Sequence, residues 1–208
     1  MINVSIAGIG GQGSVLAARI LAQAAEAKGW QVRSAETIGM AQRGGNVMSH
    51  VRMGNDGEKV SAPLPAHHSV DVLIALEPGE GARALPFLKP DGLLVVAQTG
   101  IGSTTLDFKG PQYQPALLID EMRAKGIKMA VVDDFELCTR LGSRKALNIV
   151  MLAAALRSVD KRDDCRDNAL RGELGLDEMR RAIPLCVKER FVDMNLKAVD
   201  LVQRSAKV

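Results

Sequence analysis

The sequence predicts an α/β fold: a Rossmann-like, mostly parallel sheet with helices on both faces, an appended antiparallel hairpin and a helical C-terminal region. Three observations carry that prediction. A short apolar run, Ile2 to Ala7, leads directly into a glycine turn and then into a helix-period stripe. Strand-like apolar runs then alternate with helical stretches as far as Asp133, the rhythm of a doubly wound sheet. Beyond Asp133 the pattern is mostly helical. No repeat or composition shift marks a second unit, so one domain over 1–208 is expected, long enough to bury a sizeable core.

The elements follow in order. Ile2 to Ala7 reads as a buried strand and Ser14 to Lys28 as a helix. Its stripe Ala17, Ile20, Leu21, Ala24 and Ala25 lies on one face, and Gly29 ends it. Gln31 to Glu36 reads as the second strand. Where a crossover helix would come next, the chain instead runs Thr37 to Gly45 with three glycines. Asn46 to Met53 alternates, with Val47, Ser49, Val51 and Met53 on one face and Asn46, Met48, His50 and Arg52 on the other. The turn residues Gly54 to Gly57 would return it to a partner strand at Glu58 to Ala62. Val70 to Leu76, Leu93 to Ala97 and Ile127 to Val132 read as strands. Pro78 to Leu88, Ala116 to Lys125, Lys145 to Val159 and Val187 to Arg204 read as helices. Thr99 to Pro115 reads as a loop, and the charged stretch Arg157 to Arg171 as a solvated connector.

Composition excludes several functions. Apolar residues make up 47% and charged residues 25%, an ordinary globular balance that argues against disorder. The net charge of +3 is too small to point to nucleic acid without a basic stripe. With four Phe, one Trp and one Tyr, the chain lacks the rings for a base-stacking surface. Cys138, Cys165 and Cys186 share no ligand spacing and cannot together form a four-cysteine iron–sulfur site. His50, His67 and His68 fall in no metal motif, so no metal is expected. Neither a basic leader nor an eighteen-residue apolar run is present, so a soluble cytoplasmic protein is expected.

Two glycine-rich segments concentrate the chemistry. Gly8, Gly10 and Gly13 satisfy GxGxxG, between a strand and a helix as that pattern requires. The N–H groups opening the helix would favour an anion. Gly11 and Gln12 complete the loop, and the Gln12 amide can bond backbone or ligand. A nucleotide-type ligand, NAD itself and a purely structural turn all remain open. Dinucleotide binding also asks for an acid ending the second strand, and Glu36 comes late for it. Arg43, Gly44, Gly45 and Asn46 form the second segment. Its glycines let backbone approach a ligand or another chain, and the arginine can grip phosphate or carboxylate bidentately. Asn148 and Asn195 are lone amides in apolar stripes, read as braces for loops. No nucleophile–base set is visible, so no catalytic residue is assigned.

Those residues resemble a known family. Ala7-Gly-Ile-Gly-Gly-Gln-Gly13 before a small-residue helix is similar to the gamma subunit or gamma domain of 2-oxoacid:ferredoxin oxidoreductases. Ile38-Gly-Met-Ala-Gln-Arg-Gly-Gly45 with Ser49-His-Val-Arg52 resembles the form found in the beta subunit of the indolepyruvate enzymes. Asp71-Val-Leu-Ile-Ala-Leu-Glu77, the Asn148 helix and Val187-Lys-Glu-Arg-Phe-Val-Asp-Met-Asn195 also look like family features. The chain departs from the pattern at Leu152-Ala153, where the family often has glycine after the leucine, and in a longer charged stretch from Asp160 to Gly175.

The resemblance implies a non-cluster-bearing subunit of a thiamine diphosphate-dependent arylpyruvate oxidoreductase that yields an acyl-CoA and passes electrons to ferredoxin. A larger alpha subunit would hold thiamine diphosphate and [4Fe–4S] clusters, and this chain would bind no cofactor alone. Its two glycine segments would converge near one edge of the sheet, on coenzyme A or on the partner. A free-standing NAD(P) oxidoreductase and a non-catalytic scaffold are the alternatives.

Overall fold

The computed structural model describes residues 1–39, 45–55, 57–101 and 113–205. Six strands form one sheet: β1 (Ile2–Ile9), β2 (Gln31–Ile38), β3 (Asn46–Gly54), β4 (Val70–Ala75), β5 (Leu88–Ala97) and β6 (Met129–Val132). Their order is β2-β3-β1-β4-β5-β6. β3 runs antiparallel to both of its neighbours, and β1, β4, β5 and β6 are mutually parallel. The helices are α1 (Ser14–Glu26), α2 (Pro78–Ala84), α3 (Pro115–Ala124), α4 (Asp134–Arg140), α5 (Leu147–Lys161), α6 (Leu176–Cys186) and α7 (Val192–Arg204).

Alternation along the strands builds two cores. Ile2, Val4 and Ile6 of β1, with Val72 and Ile74 of β4, face α1 and α5 to α7. Ala7, Leu73, Ala75 and Leu94 face α2 and α3 on the other side. β4 is therefore buried at every position, which is why it reads as an unbroken apolar run. α5 is buried all round its first ten residues, lying between the sheet and α7, and its sequence is correspondingly apolar on every face.

Three expectations change. The Glu58 to Ala62 segment forms no strand; the antiparallel hairpin is β2 with β3, and β3 enters the sheet beside β1 instead of standing outside it. The physical reason is the apolar face of β3: Val51 and Met53 are fully buried against α1, a cover that a free hairpin would lack. The Arg157 to Arg171 stretch is anchored, not free. Cys165 and Leu170 are buried, and the Asn168 amide donates to the Asp71 carbonyl at 3.0 Å. α6 occupies sequence not assigned to a helix; Pro184 in its last turn has no N–H to donate back to the Arg180 carbonyl, and the helix ends two residues later at Cys186.

Candidate functional site

The carboxyl ends of β1, β4, β5 and β6 point the same way, and chain turns at that end carry the glycine loop. Open parallel sheets bind ligands in this position. Gly8 still lies in β1. A Cβ there would come within 2.8 Å of the Gln12 side-chain oxygen and 3.1 Å of Leu76 Cβ, so only glycine lets β1, β4 and the turn close together. Gln12 then clamps both strands. Its Oε1 accepts from the Ile9 N–H at 2.7 Å and its Nε2 donates to the Leu76 carbonyl at 3.0 Å. Its amide thus serves backbone.

Gly13 has φ of +85° and precedes α1. Any Cβ at Gly13 would also lie 2.7 Å from Asn148 Nδ2. That amide donates to the Gly13 carbonyl at 3.1 Å, from a residue only 3% exposed. Asn148 of α5 therefore touches the loop directly. Asn195, also buried, instead donates to the Phe191 carbonyl at 2.7 Å, at the start of its own helix. The structure gives it no bond to the glycine loop. α1 opens with no acidic residue in its first turn and no side-chain cap, leaving its positive end uncompensated from within the helix.

The second segment meets the first. The Gly10 N–H donates to the Gly45 carbonyl at 2.9 Å, and Ile9 stands opposite Asn46 in the ladder. The Asn46 carbonyl also accepts from the Gly39 N–H at 2.8 Å, closing the end of β2 onto the start of β3. Arg43 and Gly44 lie outside the described residues. The meeting point is at the carboxyl end of β1, in the middle of the sheet and away from its lateral edges.

Neighbouring carboxylates were not singled out as site residues from sequence. Glu77, directly after β4, is buried. Its Oε2 caps α2 by accepting from the Glu80 N–H at 2.9 Å, and its Oε1 accepts from the Tyr113 hydroxyl. Tyr113 in turn accepts from the Gly79 N–H at 3.0 Å. Burial and then the adjacent Glu77 carboxylate push the Tyr113 hydroxyl up, so it stays protonated and donates. Asp134, after β6, is fully buried and accepts from the Thr99 N–H at 2.9 Å and from Arg144 at 2.8 Å. The signal available in sequence was an acid two residues past the end of two apolar strands, β4 and β6.

This arrangement can hold and orient an anion, but it holds no reacting set. Burial pushes the Cys138 thiol up to about 11, which keeps it a neutral thiol. The three cysteines sit on separate elements, and no group of three metal-ligating side chains occurs among the described residues. Insertion of β3 also bears on dinucleotide binding. β2 is two strand spacings from β1, roughly 10 Å, and Glu36 on it is exposed. An acid on that strand is displaced from the position beside β1 where a ribose would be held.

Fold and site together define a class: an α/β domain whose glycine loop, pinned by a buried asparagine, faces the carboxyl end of a sheet with one inserted antiparallel strand. The sequence profile of pyruvate ferredoxin/flavodoxin oxidoreductase matches residues 3–204, and the chain belongs to that family. It is 33% identical to indolepyruvate oxidoreductase subunit IorB of Archaeoglobus fulgidus, over 96% of this chain and 92% of that one. It is 30% identical to the subunit of the same name from Pyrococcus horikoshii, over 99% and 96% of the two chains. The crystal structure of a keto/oxoacid ferredoxin oxidoreductase gamma subunit from Geobacter sulfurreducens shares the fold, with a TM-score of 0.64 at 22% identity over 97% and 96% of the chains. The chain is thus a small subunit of the 2-oxoacid oxidoreductase class, as its glycine motifs implied. No helix among the described residues is long and apolar enough to cross a membrane.

Proposed function

We propose that residues 1–208 act as one gamma-type domain, the smaller subunit of an indolepyruvate-type oxidoreductase that converts an arylpyruvate to an acyl-CoA and passes electrons to ferredoxin. The larger alpha subunit carries thiamine diphosphate and the [4Fe–4S] clusters. The scattered cysteines of this chain fit that division of labour. Thiamine diphosphate, bound on the partner, supplies the decarboxylation chemistry.

The residues of this chain position coenzyme A. One observation carries the reading: the Gly10 N–H to Gly45 carbonyl bond, which joins the two glycine segments at a single point beside the open end of α1. The Gln12 N–H closes the turn onto the Ile9 carbonyl at 3.1 Å, the N–H groups of Gly11 and Gly13 are the donors offered to an anionic group, and the Gln12 and Asn148 side chains hold that backbone in place. Gly45 and Asn46 stand on the other side of that meeting point, and Arg43, with Gly44, precedes them in the sequence and is the cation assigned to the anionic group. Residence in the cytoplasm goes with ferredoxin as the electron acceptor. The displaced position of Glu36 weighs against a free-standing NAD(P) enzyme.

The test uses the assembled two-subunit complex, purified anaerobically. Arg43→Ala should raise the KM for coenzyme A about ten-fold, the loss of one charge-assisted contact, while indolepyruvate KM holds. Assembled mutant complex with unchanged coenzyme A kinetics would remove Arg43 from the site. Impaired assembly with unchanged kinetics would favour the scaffold role.

A further inference from the structure

A cavity lies on the α2 face of the sheet and borders the second glycine segment at Asn46. There α2 and α3 cover β4 to β6 and α2 also packs on β1, while β3 and β2 have no helix over them on this face. Arg52 ties the chain around Ala62 and Leu64 across this face, donating to their carbonyls at 2.8 and 3.3 Å. Between that segment and α2 remains a cleft of about 290 Å³. Its walls are mainly apolar: Met48, Leu64, Pro65, Ala84 and Phe87. The charged groups on its wall, Glu80 and Arg83, are paired with each other, so the lining presents no net charge.

His50 forms the floor. It is 2% exposed, and its Nδ1 bonds Ser5 Oγ at 2.8 Å. Its ring lies 5.7 Å from that of Phe87. That is its one hydrogen bond among the described residues, and Nε2 is the open position of the ring. Burial pushes the imidazole down, which keeps it neutral at pH 7. A largely apolar concavity with one convergent polar atom is the usual form of a small-molecule site. The volume is about twice the roughly 150 Å³ cavity that admits a benzene ring.

We propose that this cleft binds a small uncharged aromatic molecule of two-ring size, with one polar atom held by His50 Nε2 and its rings against Phe87 and Met48. The inference goes beyond the coenzyme A reading and does not depend on it. A neutral ligand follows from the paired Glu80 and Arg83 and from the uncharged imidazole. Whether Nε2 donates or accepts depends on the direction of the Ser5 hydroxyl, so the two kinds of ligand are distinguishable by experiment.

The test is a titration of the full-length chain, labelled with 15N-histidine, with indole (one N–H donor) and separately with quinoline (one acceptor nitrogen) at pH 7.5. One of the two should bind saturably and shift the His50 Nε2 resonance, which also fixes the tautomer. His50→Phe should weaken that binding at least ten-fold. Thr37→Trp, at the exposed mouth of the cleft, should abolish it while circular dichroism and thermal midpoint stay unchanged. Failure of both probes to shift His50, or binding unaltered in Thr37→Trp, overturns the proposal. So does disappearance of the site in the assembled complex, which would assign the cleft to a partner side chain. Because the readout needs neither partner nor coenzyme A, it stands apart from any failure of the subunit reading.

Discussion

β4 and β2 belong to one sheet, yet β4 is buried at all six positions and β2 at none. The difference is one of cover. β4 has a strand on either side and helices on both faces, whereas β2 is an edge strand paired with β3 alone. Their sequences match their places: VDVLIA against QVRSAETI. The parallel strands therefore carry more of the buried core than the edge strand does. The antiparallel half presents backbone edge, a polar face and the cleft, and both glycine segments meet at the seam between the halves.

The sharpest way to break this comparison is to truncate one isoleucine in each half. Ile74→Ala in β4 should lower unfolding free energy by about 3 kcal/mol, from lost burial and the cavity left behind. Ile38→Ala in β2, at 71% exposure, should change it by less than about 0.5 kcal/mol. Urea unfolding of both variants measures the contrast, and equal losses would refute it.

A smaller effect is expected at the seam. Gly13→Ala should cost about 2 to 3 kcal/mol, combining the left-handed backbone with the overlap against Asn148. Gly11→Ala, with φ of +95° but open space around it, should cost only about 1 kcal/mol. The same urea midpoints decide whether the Asn148 contact adds to backbone strain.

The smallest effect is a pH dependence in the antiparallel half. Burial lowers the folded-state pKa of His50 below its unfolded value of 6.5. Between those two values the unfolded chain binds more protons than the folded one, so stability rises with pH across that window and levels off above it. His50→Phe should flatten this acid limb: the difference in urea midpoint between pH 5 and pH 7 should shrink relative to the unaltered chain. An unchanged difference would show that other groups set the slope.

Much of this was legible in sequence because it is local. Ile2 to Lys28 spells strand, glycine turn and helix in contiguous residues, and the structure has all three in that order. Asn46 to Met53 showed its two faces by alternation, and Val51 and Met53 are indeed buried while Asn46 is exposed. Strand order was not legible. Nothing in β3 itself says whether it pairs with the residues after it or with β1, some 45 positions earlier, since Ser5 stands opposite His50. α6 was hidden by its composition: four charged residues and Pro184 surround the short buried stripe of Met179, Ala182 and Ile183. The partners of the buried acids Glu77 and Asp134 were not legible, because Tyr113, Thr99 and Arg144 reach them only through the fold. The resemblance carried the two glycine segments, but the Gly10 to Gly45 bond joining them is a tertiary fact.

The insertion of β3 also sets a problem for the growing chain. β1, α1 and β2 are synthesised before β3, and a strand–helix–strand unit on its own closes by pairing its two strands directly, side by side and parallel. In the finished sheet those two strands never touch. Direct pairing of β1 with β2 is thus a competitor for the place that β3 takes between them. The order in which ribosomes deliver this sequence thus makes that non-native pairing available before the native partner of either strand exists.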